Sequence, residues 1–242
     1  MAKQTLPTRA LLACGAVAGP VYVIVTMAQA LTRDGFDLKR HRFTLMTTGD
    51  LGWIHQANML LVGVLTVLLA VGMRQLVRTG RGAVWGPRLL GLFGVAYVVG
   101  GLLTADPVVG FPAGTTPEMV QHTWHGAVQN ASRGISTLLL IATSLVIAAR
   151  FAAEGRRGWA WFYGAAIPVV FAALMAVGFA IGINPVAPAF LATPWIWVTA
   201  LAVHLYRRAA TRRDDVPAGQ GTSLRSGGLA VERVLPRIGR IG

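Results

Sequence analysis

Residues 53–73 read WIHQANMLLVGVLTVLLAVGM, and the run contains no Asp, Glu, Lys or Arg. A stretch of about 20 residues crosses a hydrocarbon core of roughly 30 Å as an α-helix, because a helix satisfies each backbone N–H within its own segment. Comparable apolar runs recur at 11–31, 89–104, 126–149, 159–181 and 194–206. The pattern predicts an all-α, polytopic transmembrane helical bundle of about six spans in residues 1–210, with a flexible basic tail at 211–242. The third and sixth runs are short, so they must borrow interfacial residues or be shielded by other helices.

Composition points the same way. Hydrophobic residues make up 54% of the 242 and charged residues 13%, a balance that fits lipid as the solvent. The net charge of +13 sits in short clusters between the apolar runs. That spacing is a topology signal and argues against a nucleic-acid partner. If the N-terminus is cytoplasmic, then Lys3 and Arg9, Arg74 to Arg88, Arg150 to Arg157 and the Arg-rich tail all share one side. The second and third translocated loops then carry no Lys or Arg. The first is the exception, with Arg33, Lys39, Arg40 and His41, and Arg42 beside them, offset in part by Asp34 and Asp37. Lys3 and Arg9 before an apolar run ending in Ala28-Gln29-Ala30 also read as a signal peptide, but the run is long for one and is taken as a span. The single Cys14 excludes an intramolecular disulfide. Pro20 and Pro168 should kink the first and fifth spans, and Gly15 with Gly19 and Gly178 with Gly182 offer close helix approach.

Polar residues are distributed unequally. The expected cytoplasmic side has mostly Arg, while the outer side collects Asp50, His55, Asn58, Asp106, Glu118, His122, His125, Gln129, Asn130 and Arg133. His55 and Asn58 are three apart and share a helix face. Thr116-Pro117-Glu118 reads as a helix start, from which His122, His125, Gln129 and Arg133 would follow one stripe into the fourth span. An arginine in that position should face a carboxylate, with Asp50 and Asp106 nearest by topology. His122 and His125 also have a spacing that suits zinc, with His55 or Asp106 as a third ligand.

The strings GFDLKRHRFTL at 35–45 and GDLGWIHQAN at 49–58, followed by DPVVGFP at 106–112, resemble the signatures of the DUF998 family of bacterial membrane proteins. The resemblance implies a six-helix bundle in the bacterial plasma membrane and implies no reaction. Three functional readings stay open. In the first, an outward polar pocket of Asp50, His55, Asn58, Asp106, His122, His125, Gln129 and Arg133 binds a small ligand or lipid headgroup. The second is a membrane-embedded hydrolase or lipid-modifying enzyme using Asp50, Asp106, His122 and His125, with zinc at His122, His125 and Asp106 as one version. The third, a transporter or proton-coupled protein, suffers from the near absence of polar residues in the inner halves of the spans. Membrane lipid is the one partner the sequence implies.

Overall fold

The computed structural model describes residues 7–181 and 187–214. The tail beyond Asp214, and Gly182 of the second glycine pair, lie outside the described residues. Six α-helices account for most of the chain: α1 (Thr8–Thr32), α2 (Gly52–Leu76), α3 (Trp85–Gly101), α4 (Trp124–Ala153), α5 (Arg157–Ile181) and α6 (Ala187–Asp214). Short 3-10 turns at Phe43–Thr47 and Pro117–Met119 interrupt the two long connections. Each helix packs against its sequence neighbours and α6 returns to α1, which closes the six into a ring. Paired contacts such as Gly15 with Leu69 and Gly72 with Leu11 make α1 and α2 antiparallel.

Three helices, α1, α2 and α4, are long and apolar enough to cross a membrane by length and composition. The 17 residues of α3 reach about 25 Å at 1.5 Å each. Around the bundle Ile24, Leu61, Leu92, Leu138 and Ile196 stand exposed, with Leu138 68% accessible. An apolar girdle drawn from five helices has no place in water, and acyl chains are its natural cover. The fold is thus a polytopic membrane bundle. Its helices extend past most of the apolar runs: α6 starts at Ala187, so Pro194 lies inside it, and it ends at Asp214, within the stretch read as tail. Helices α1 and α5 run on through Pro20 and Pro168.

Small residues set the helix spacing, because lipid provides no hydrophobic drive between helices and close packing must supply it. Gly15 of α1 faces Leu69 of α2, whereas Gly19 lies against the Trp195 carbonyl and Thr199 of α6. Gly63 and Gly94 form a reciprocal contact between α2 and α3: a Cβ on either would lie 2.7 Å from the carbonyl oxygen of the other. On α4, Ser132, Ser136, Thr143 and Ser144 are buried, and Ser132 donates to the Ala96 carbonyl of α3.

The two ends of the ring differ. At one, Arg150 donates to the carbonyls of Thr79 and Arg81, and Arg9 lies 4.9 Å from the Tyr206 ring centre. At the other, the connections 33–51 and 102–123 fold together as a cap.

Candidate functional site

The cap is built from a polar latch and an aromatic cluster. Phe43 to Thr48 are all buried, so this loop segment is tucked into the end of the bundle. Its backbone polar groups therefore need partners. Arg33, just after α1, supplies two by donating to the carbonyls of Met46 (2.7 Å) and Thr48, while its guanidinium stacks 4.9 Å from the centre of the Phe111 ring. Burial lowers the Arg33 pKa, and Asp50 partly offsets that. Phe36, His41 and Phe111 meet with ring centres 5.2 to 5.5 Å apart. Thr47 is the latch: its hydroxyl donates to the Thr44 carbonyl (2.9 Å) and accepts from the Ala105 amide (2.9 Å) and from Gln129 Nε2 of α4 (3.0 Å).

Asp106 fastens the second loop to α4. Its carboxylate accepts the Thr123 hydroxyl (2.6 Å) and the Thr123 N–H (3.2 Å), and Thr123 in turn caps α4 by accepting from the Gly126 amide (3.2 Å). A carboxylate at a helix N-terminus also opposes the positive end of the helix dipole. Gly126 is required there because a side chain would run into the Asp106 carboxylate. Gly126→Ala is expected to unhook Asp106 and lower stability by about 2 kcal/mol. Thermal unfolding in detergent checks it, and an unchanged Tm would contradict this account of the latch.

Beneath the cap five helices meet at Tyr22, which is fully buried. Its ring lies 4.8 Å from Trp195 of α6, 5.5 Å from Tyr97 of α3 and 5.8 Å from His55 of α2, and its hydroxyl accepts from Arg133 of α4 at 3.4 Å. Asn58 Nδ2 donates to the Tyr22 carbonyl (3.2 Å) and to Thr26 Oγ1 (3.4 Å), and Gln29 donates to the Leu51 carbonyl (3.1 Å). Several buried polar atoms around this cluster have no hydrogen-bond partner among the described residues: both ring nitrogens of His55, Asn58 Oδ1, Gln29 Oε1 and Gln129 Oε1. Each such group costs about 1 to 3 kcal/mol unless something satisfies it. Arg133 has no carboxylate within ion-pair distance among the described residues.

The DUF998 family, described as a protein of unknown function, matches residues 16–204, from within α1 to within α6. The chain belongs to the DUF998 family. Comparison with curated proteins and with solved structures returned no match.

In this DUF998 protein the polar residues singled out by sequence divide into two groups. His55, Asn58 and Gln129 are buried and Arg133 is half-buried, all below the cap. Asp50, His122 and His125 are exposed at its surface, and Asp106 is half-buried in the latch. The helix expected from Thr116 does not form as such. Pro117–Met119 makes one 3-10 turn and α4 begins only at Trp124, because Asp106 pulls Thr123 into the capping position. His122 therefore falls off the stripe, with its Nδ1 4.0 Å from Asp106, and His125 stacks on Trp124 with ring centres 3.7 Å apart. Among the described residues no three His, Cys, Asp or Glu side chains gather in a metal-binding group. The expected carboxylate partner of Arg133 is also replaced: Asp106 is committed to Thr123, and Arg133 turns to Tyr22.

Tyr22, Tyr97 and Trp195 went unremarked in the sequence, although a signal was there. Tyr and Trp favour the membrane interfaces, so placement within a span demands a partner for the polar tip. Thr47 carries no such signal, since its role exists only once the loop is folded.

His41 makes the cap sensitive to acid. Its Nδ1 accepts the Asp37 N–H at 2.9 Å, which requires the neutral ring, and burial is the main cause of a pKa below the ordinary 6.5, with Arg40 adding to it and Asp37 opposing it. The folded state thus binds fewer protons than the unfolded one, so the His41 contribution is complete above the unfolded pKa and is lost as pH falls through the folded pKa. Amide exchange in residues 33–51 is expected to accelerate, after correction for intrinsic rates, as pH drops below about 6.5, more in wild type than in His41→Gln. Equal acceleration in both proteins would contradict it.

Proposed function

We propose that this protein lies in the bacterial plasma membrane with both termini cytoplasmic, and that the chamber under its translocated cap binds a small anionic ligand or lipid headgroup through Arg133. The single observation that carries the reading is the Arg133 guanidinium, set in the upper half of a membrane bundle beside Tyr22 with no carboxylate in reach among the described residues. A cation in a low-dielectric bundle is expensive without an opposite charge. Around it stand further unsatisfied groups, among them both ring nitrogens of His55, one of which carries a proton in the neutral ring. The guanidinium and that N–H suit a phosphate or carboxylate oxygen. A partly unsatisfied polar chamber is the form a binding site takes before its ligand arrives.

The orientation rests on the charge pattern. Arg33, the most deeply placed exception in the first translocated loop, is committed to the Met46 and Thr48 carbonyls and to Phe111, so it is not free to hold that loop at the anionic inner leaflet. The hydrolase reading would need Asp50, Asp106, His122 and His125 together, and no observation on those residues favours it over a structural role for Asp106.

Native mass spectrometry of protein extracted in mild detergent tests the binding. Wild type is expected to retain a phosphate- or carboxylate-bearing adduct that Arg133→Gln loses. A wild-type protein that carries no such adduct, and whose Tm ignores added anionic headgroup compounds, would overturn the reading. Reporter fusions at Gly242 and within the loop at Ala113 test the orientation, and a translocated signal from Gly242 would reverse it.

A further inference from the structure

At the arginine end, a groove of about 860 Å³ runs between the start of α5 and the last turns of α6. Apolar side chains including Phe162 and Val203 form its walls, and Arg156, Arg207 and Arg208 stand along it. Trp159, 40% exposed, also lines it, with the Arg156 guanidinium 5.8 Å from its ring centre. The groove thus has two chemistries: an apolar slot between two membrane helices, and a cationic rim where those helices leave the apolar girdle.

Among the described residues the charge at this rim is cancelled only in part. Glu154 is the acidic residue facing it, and Arg208 (2.8 Å) and Arg150 (3.0 Å) already bracket its carboxylate. Burial alone would raise the Glu154 pKa, but the Arg208 bond and the nearby arginines outweigh it and hold the carboxylate below its usual range. Arg156 contacts His204 Nε2 at 3.2 Å rather than an acid. The N-terminus of α5 at Arg157 adds the positive end of a helix dipole on the same side.

We propose that this groove is a binding site for an anionic phospholipid, with the phosphate held by Arg156 and Arg207 and an acyl chain lying along Phe162 and Val203 toward the middle of the bundle. Charge complementarity selects this occupant. A zwitterionic lipid brings a cationic group to a cationic rim. The chain's own segment 215–242 carries four Arg against Asp215 and Glu232, so it would meet like charge there. A free phosphate would leave the apolar slot unfilled. Tryptophan at the headgroup level is the usual neighbour of such a site.

The test titrates the full-length protein in detergent with phosphatidylglycerol, phosphatidylcholine or inorganic phosphate, and counts bound lipid by native mass spectrometry. Phosphatidylglycerol is expected to bind at least tenfold more tightly than phosphatidylcholine, with inorganic phosphate a weak competitor. Arg156→Gln and Arg207→Gln should each weaken it roughly fivefold. Val203→Trp, which fills the slot and leaves every charge in place, should weaken it as well. Equal binding of the two lipids would overturn the proposal, as would a preference that survives all three groove variants. Loss of the preference with Arg225→Gln and Arg237→Gln alone would assign the lipid to the tail and equally overturn it. Arg133→Gln should leave this binding intact, which separates the groove from the chamber under the cap.

Discussion

Gly63→Ala and Gly94→Ala are each expected to destabilise the bundle by about 3 kcal/mol, the upper end of the usual cost of overpacking a close-fitted core. A Cβ at Gly63 would meet the Gly94 carbonyl at 2.7 Å and the Val98 amide at 2.9 Å; one at Gly94 would meet the Gly63 carbonyl at 2.7 Å and the Val67 amide at 3.0 Å. These are backbone atoms, so no rotamer change relieves the clash and α2 must move away from α3. Moving it disturbs His55 and Asn58 above, so ligand retention should fall together with Tm. Gly134 of α4 provides the control, since a Cβ there has nothing within 4 Å. Gly134→Ala should raise stability by about 0.5 to 1 kcal/mol through helix propensity and reduced unfolded-state freedom. Similar Tm values for Gly63→Ala, Gly94→Ala and Gly134→Ala would contradict the close crossing.

Arg133→Met should have the second large effect, with opposite consequences for stability and binding. The sequence alone suggests a buried ion pair, whose rupture would cost about 3 to 5 kcal/mol. The structure gives Arg133 a tyrosine hydroxyl at 3.4 Å and no carboxylate among the described residues. Removing an uncompensated charge relieves a desolvation cost, so ligand-free Arg133→Met is expected to be as stable as wild type or more stable by about 1 to 3 kcal/mol. Binding of the anionic ligand should be lost. Thermal unfolding of delipidated protein checks the first half, and a loss of 3 kcal/mol or more would show that a protein carboxylate had been paired with it.

The fold was legible because its cause is local. Apolar length and the need to satisfy the backbone in lipid decide the helices residue by residue, as in 53–73. The helix boundaries were less legible because polar turns extend α2, α4 and the C-terminal end of α6 past the hydrocarbon-length runs, while α6 also begins earlier, at Ala187, on an apolar segment interrupted by proline. Close approach is legible at Gly15 and Gly19, where spacing along one helix is the signal, but not at Gly63 with Gly94, a pair made across two helices.

The site was legible only in part, for the same reason. His55, Asn58, Gln129 and Arg133 stand out as polar residues inside apolar runs, and all four lie below the cap. Asp106 and His122 stand out equally, yet the carboxylate is used to cap α4 through Thr123. Nothing in the residue order distinguishes a latch from a ligand. Tyr22 was hidden by its own hydrophobicity, although it is the side chain on which His55, Tyr97, Arg133 and Trp195 converge.

The most direct measurement is an experimental density map of the protein purified with its native lipids, read beside Arg133. Density for an anionic group is expected within hydrogen-bonding distance of the guanidinium and of the unsatisfied His55 ring. A carboxylate of the chain itself occupying that position, or water alone, would contradict it.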